Sequence, residues 1–291
     1  MTDDGAVLTI RATGRRPALC CVPAISGSPY PYLPLAALLD ADQPVLALEA
    51  PGFEDDRPPA GSLPDLTAGY RDTLRRVRPD RAYALLGWSM GGVVAYHLAQ
   101  RLRADGLDVP ALVLVDSVVP TLMRHPEGAE RTTRFVVDLL ATSGQPVEPA
   151  RAVLDGLPAG STPGAAFTAL VRAGVLPEDL DHSFLLHRYA LFDAHLTALS
   201  HYRPTGGYDG PVTVVRAAES PADLMRWDGL AADVTELVVP GDHYSIWRGE
   251  GLVALGRALR RCLSGTDTDD HGRPYAQKGT ADEWPPPPGG A

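Results

Sequence analysis

The chain has 291 residues, 45% hydrophobic and 21% charged, enough for a sizeable core in one large α/β domain or two small ones. Its net charge of −10, with Lys278 the single lysine, argues against a nucleic-acid binder, which needs a basic face for phosphate. The N-terminus lacks a signal-peptide pattern and no apolar run reaches membrane-spanning length, so a cytoplasmic protein with no membrane association is expected.

In chain order, 7–11 and 18–22 read as short strands, 32–39 as a helix and 45–48 as a buried strand. Residues 63–77 carry Leu66, Tyr70, Leu74 and Val77 at helical spacing. An apolar strand over 83–86 leads through a sharp turn into a helix over 90–103, and 112–115 is another buried strand. Short apolar strands alternating with helices indicate a mostly parallel sheet with helices on both faces, an α/β fold. Such sheets place their chemistry at the carboxyl ends of the strands. From about 121 to 204 the pattern becomes helical, with stretches at 132–141, 165–173 and 184–200, and reads as a lid inserted over the sheet. Strands return at 212–216 and 234–239, and a helix over 251–263 ends the domain, 1–263. Residues 264–291, rich in Gly, Asp, Thr and Pro, read as a disordered tail.

The turn at 87–91 is Gly87-Trp-Ser89-Met-Gly91, a Gly-x-Ser-x-Gly between a strand and a helix. This nucleophile-elbow pattern exposes a serine at the strand end and sets the helix N-terminus behind it. Glycine is needed on either side because a Cβ there would meet neighbouring backbone. Ser89 is therefore the candidate nucleophile.

A serine nucleophile needs a base and an acid. Of eight histidines, His243 follows the last strand in a loop that returns to the same sheet edge as Ser89. His182, His187, His195 and His201 fall in the helical insertion, as candidates to line a channel, and His97 reads as a satisfied structural histidine. Two loops offer an acid: Asp116 closes the strand after the elbow helix, and Glu219 and Asp223 follow the next strand. Both loops fit the order serine, acid, histidine, and the spacing favours neither. Cys20, Cys21 and Cys262 have neither metal nor disulfide spacing, and no metal or other cofactor is expected.

Several segments together resemble the type I thioesterase domains of nonribosomal peptide and polyketide synthases, members of the α/β-hydrolase superfamily. They are Leu-Cys-Cys-Val-Pro-Ala-Ile-Ser-Gly at 19–27, Gly-Trp-Ser-Met-Gly-Gly from Gly87, Ala-Leu-Ser-His-Tyr-Arg-Pro from Ala198 and Pro-Gly-Asp-His-Tyr-Ser-Ile from Pro240. The resemblance covers roughly 17–263 and implies an α/β-hydrolase fold with a helical lid. It points to Asp116 as the acid, because that family's acid follows the strand after the elbow helix. It also implies an oxyanion hole from the backbone N–H of Met90 and one from Ala24 or Ile25. The implied substrate is an acyl or peptidyl chain on the phosphopantetheine of a carrier protein, released by hydrolysis or macrocyclisation in secondary-metabolite biosynthesis.

The chain opens with its own methionine and carries no carrier domain, which leaves room for a free-standing type II editing thioesterase. A general carboxylesterase shares the same three side chains, and a non-enzymatic binding protein shares only the fold. Arg124, Arg131 and Arg134, within one expected helical stretch, are a candidate docking face for an acidic carrier.

Overall fold

The computed structural model describes residues 6–78 and 82–264. Seven strands form one sheet: β1 (Val7–Arg11), β2 (Ala18–Val22), β3 (Val45–Leu48), β4 (Tyr83–Trp88), β5 (Leu112–Val115), β6 (Tyr208–Ala217) and β7 (Ala231–Val239). Their order is β1-β3-β2-β4-β5-β6-β7; β1 pairs antiparallel to β3 and every other pair is parallel.

The central strands are buried on both faces, and alternate residues feed different cores. Cys20, Leu46, Leu85, Leu114 and Val214 face one side, where α2 (Leu63–Val77) and α3 (Met90–Ala104) add Leu66, Tyr70, Leu74, Val93 and Leu98. Leu19, Cys21, Val45, Leu86, Val113 and Val215 face the other, covered by α1 (Tyr32–Ala36) and α8 (Gly249–Ser264) through Tyr32, Leu35, Leu255 and Leu259. This two-residue period is why the apolar strands allow no slip in register.

Between β5 and β6 lie α4 (Ala129–Thr142), α5 (Glu148–Asp155), α6 (Pro163–Arg172) and α7 (His182–His201). They share their own apolar cluster of Phe135, Val136, Phe167, Leu170, Leu185, Phe192 and Leu196, separate from the two faces of the sheet.

Some boundaries differ from the sequence expectation. The first helix stops at Ala36, where the Leu38 and Leu39 amides bond only three residues back, to Leu35 and Ala36. The sixth strand begins at Tyr208, before Gly210 and Pro211, across a register shift that breaks the apolar pattern. The seventh starts at Ala231 because an edge strand only partly covered on either face tolerates exposed Asp233, Thr235 and Glu236. Ser264 closes α8, and the rest of the expected tail lies outside the described residues.

Candidate active site

Each candidate side chain follows directly from the carboxyl end of a strand. The Ser89 amide, one residue past β4, bonds the Val115 carbonyl at 3.0 Å, and the Asp116 amide, one residue past β5, bonds Val215 at 2.8 Å. Both residues have positive φ, 56° at Ser89 and 46° at Asp116. A non-glycine residue held there typically costs about 1–3 kcal/mol, and such strain gathers at functional sites. The surrounding packing enforces the elbow. A Cβ at Gly87 would lie 2.0 Å from the Gly91 carbonyl oxygen, and one at Gly91 would lie 2.4 Å from that of Val22. The start of α3 is thereby pressed against the loop that follows β2.

His243 sits in a turn that its neighbours build. Asp242 accepts the amides of Tyr244 and Ser245 at 2.9 and 2.7 Å, and its own amide bonds the Ser245 hydroxyl at 2.7 Å. Those amides hold the Asp242 carboxyl below its usual pKa. The imidazole donates from Nδ1 to Asp116 Oδ2 at 2.6 Å and packs on Trp88, ring centroids 5.3 Å apart. With Nδ1 as the donor, neutral His243 keeps its lone pair on Nε2, the form a general base needs.

Asp116 is 1% exposed and fully engaged. Besides His243 it accepts the Ala217 amide on Oδ1 at 2.9 Å and the Ser220 hydroxyl on Oδ2 at 2.8 Å. Three donors satisfy a buried carboxylate that would otherwise be costly to ionise. Glu219 and Asp223 stand exposed and are not brought to His243, so the geometry separates alternatives that spacing left open. Ser220 carried no signal in the sequence. The Ser89 side chain is partly exposed and, among the described residues, its hydroxyl makes no hydrogen bond to His243. Such bonds are often loose without substrate and tighten in the complex.

Ala24 and Ile25 lie in the loop after β2, beside the N-terminus of α3 where Met90 is the first helical residue. A cavity of about 280 Å³ opens at Ser26 and Ser28 and runs between Tyr30, Phe53 and the α4 and α7 side chains Phe135, Asp138 and Phe192. Among the described residues no group of three or more His, Cys, Asp and Glu could hold a metal ion, and no helix is long and apolar enough to cross a membrane.

Two expectations about side chains are corrected. His97 is buried against Tyr202, but its Nδ1 has no partner among the described residues, so the expected satisfied histidine is not what the structure shows. The three arginines do not share one helix: Arg124 precedes α4 and pairs with Glu130, while Arg131 turns inward to Asp193 and Thr197 on α7. Arg124 and Arg134 are exposed, and of the three only Arg131 loses the outward setting expected of a docking face.

The family model for the thioesterase domain matches residues 17–261. The chain belongs to the thioesterase domain family. The domain is similar to the dimodular nonribosomal peptide synthase of Bacillus subtilis (strain 168), 27% identical over 262 residues, which are 87% of this chain and 11% of that one. It is 30% identical over 251 residues to the non-reducing polyketide synthase atnG of Arthrinium sp, covering 82% of this chain and 12% of that one. Among solved structures, the NocB thioesterase domain from the nocardicin cluster superposes with a TM-score of 0.63 at 26% identity, over 90% of this chain and 100% of that one. That NocB domain has also been solved as a covalent complex with a fluorophosphonate nocardicin G analogue. The chain spans only about a tenth of the length of each of the two synthases. The sheet, with its helices on both faces, is that of the α/β-hydrolase fold.

Proposed function

We propose that this chain is a cytoplasmic thioesterase releasing an acyl, peptidyl or polyketide chain from the phosphopantetheine of a carrier protein in secondary-metabolite biosynthesis. The observation that carries this reading is the 2.6 Å bond from His243 Nδ1 to buried Asp116, at the sheet edge where the elbow presents Ser89. In the proposed mechanism His243 Nε2 takes the Ser89 hydroxyl proton as Oγ attacks the thioester carbonyl carbon. The tetrahedral oxyanion accepts hydrogen bonds from the Met90 amide and from Ala24 or Ile25. As it collapses, the carbon–sulfur bond breaks and the imidazolium returns its proton to the departing thiolate. Asp116 holds the ring and stabilises its positive charge throughout. A water molecule, or a hydroxyl or amine of the bound chain, then gives its proton to His243 and attacks the Ser89 ester, and as the bond from Oγ to the acyl carbon breaks the imidazolium returns that proton to Ser89 Oγ. The helices α4–α7 act as the lid, with the aromatic cavity beneath them receiving the acyl chain.

Intact-mass spectrometry after mixing the protein with N-acetylcysteamine and carrier-bound acyl thioesters tests this. A mass gain equal to the acyl group, absent in Ser89→Ala, is the expected result. Turnover of simple oxygen esters without any thioester turnover would overturn it in favour of a carboxylesterase.

A further inference from the structure

His195 lies in the interior on α7, 1% exposed, more than 150 residues from its hydrogen-bond partner in the chain (170 apart). Its Nδ1 donates to the Ile25 carbonyl at 2.8 Å, and its Nε2 is buried with no partner among the described residues. Burial pushes the imidazole pKa down, against the opposing effect of the Ile25 carbonyl, so the ring is neutral. A carbonyl can only accept, which assigns the proton to Nδ1 and leaves the buried Nε2 lone pair without a partner among the described residues. The residue thus carries an uncompensated polar atom in exchange for one bond, and that bond ends on the loop proposed to bind the oxyanion.

The same loop is held from within. The Gly27 amide bonds the Ala24 carbonyl at 2.9 Å, and the Gly27 carbonyl accepts the Ala50 amide at 3.1 Å. Gly27 has φ +80°, and a Cβ there would lie 2.8 Å from Ala50 Cβ and 3.1 Å from Leu191 of α7. Because a trans peptide is planar, fixing a carbonyl fixes the N–H of the same unit. The Gly27 amide fixes the plane that carries the Ile25 N–H, and His195 fixes the next plane, which carries the Ser26 N–H, so Ile25 is clamped on both sides. Two more side chains anchor α7 to the neighbouring loop after β3: His187 donates to the Gly52 carbonyl at 2.7 Å and Arg188 to that of Phe53 at 2.6 Å.

We propose that His195 is a positioning residue for the oxyanion loop, its Nδ1–H holding the Ile25 carbonyl so that Ile25, clamped between two fixed peptide planes, keeps its own N–H aimed at the acyl carbonyl on Ser89. The proposal rests on the thioesterase reading above. It makes α7 a part of the catalytic edge as well as a cover over it.

The test compares His195→Leu, which fills the space but loses the donor, with His195→Asn, whose amide places an N–H near the lost Nδ1. The expected result for His195→Leu is a fall in kcat of about 10- to 100-fold with KM within about 3-fold, because a misaimed oxyanion donor acts only on the transition state. Affinity for phenylboronic acid, which forms a tetrahedral anionic adduct on the nucleophilic serine, is expected to fall in parallel, and His195→Asn to restore most of both. Unchanged kcat and boronate affinity in a folded His195→Leu would overturn the proposal. So would equal losses in a folded Leu and Asn pair. If neither variant folds, nitrogen-15 spectra of the wild-type histidines at pH 7 decide: a neutral Nδ1–H tautomer at His195 supports the proposal, and an Nε2–H tautomer overturns it. A wild-type protein that turns over no thioester but binds the boronate would sink the thioesterase reading while the boronate and spectral results still judge His195.

Discussion

At the residue scale the site sets two carboxyl groups in the neighbourhood of one imidazole and treats them oppositely. Asp116 receives three donors. Asp138 on α4 receives one long bond, 3.4 Å from the Tyr244 hydroxyl, and burial pushes its pKa up to about 6 despite the nearby charges of His243 and Arg134. Asp116→Asn is expected to lower kcat by about 1,000- to 10,000-fold with little change in KM, since the amide favours the wrong imidazole tautomer. Glu219→Gln is expected to stay within about 3-fold, and steady-state kinetics on one thioester reads both. For Asp138 the sign follows from linkage. A carboxyl whose folded pKa exceeds its unfolded one binds its proton more tightly when folded, so its stabilising contribution is complete below the unfolded pKa of 3.8 and is lost as pH rises through about 6. Asp138→Asn should therefore match wild-type stability below about pH 4 and exceed it increasingly above that, by up to about 3 kcal/mol once the pH is well past 6. Urea titrations at the two pH values measure this. Equal stability at both would show that the carboxyl is well solvated.

At the element scale, legibility followed locality. The start of α2 is readable because Ser62 precedes Leu63 and Pro64, and its hydroxyl accepts the Asp65 amide at 3.2 Å. Ser62→Ala should cost about 1 kcal/mol in urea denaturation and leave turnover unchanged. The elbow is readable for a related reason, since its glycines answer to backbone only a few residues or one strand away. Gly91→Ala would drive a methyl into the Val22 and Pro23 carbonyl oxygens, at 2.4 and 2.6 Å, and should cost at least about 2–3 kcal/mol or abolish folding. A thermal midpoint near wild type would show that the β2 loop can retreat. The edge strand β7 was half hidden, because partial burial of both its faces dilutes the apolar pattern that marked β2, β4 and β5.

At the scale of the whole molecule the α4–α7 helices are unevenly attached. α7 is tied to two loops of the catalytic edge by His187, Arg188 and His195, and Arg131 joins α4 to it. α5 buries only Ala150 fully. Hydrogen exchange should therefore be fastest in α5 and slowest in the second half of α7, because opening follows the number of buried and bonded groups. Uniform exchange across the four helices would mean that they open together as one piece.

The sequence by itself determined the layered α/β plan, the elbow at Ser89 and the loop that carries His243, since each depends on residues adjacent in the chain or on a short repeat. The preference for Asp116 over Glu219 came from the family resemblance, and the tertiary structure sets its carboxylate on His243, brings Ser220 to it across 104 residues and sets His195 against Ile25. Strand register at the carboxyl edge makes the first two of those contacts and the packing of α7 on the β2 loop makes the third, and both follow from how whole faces bury, which no local spacing records.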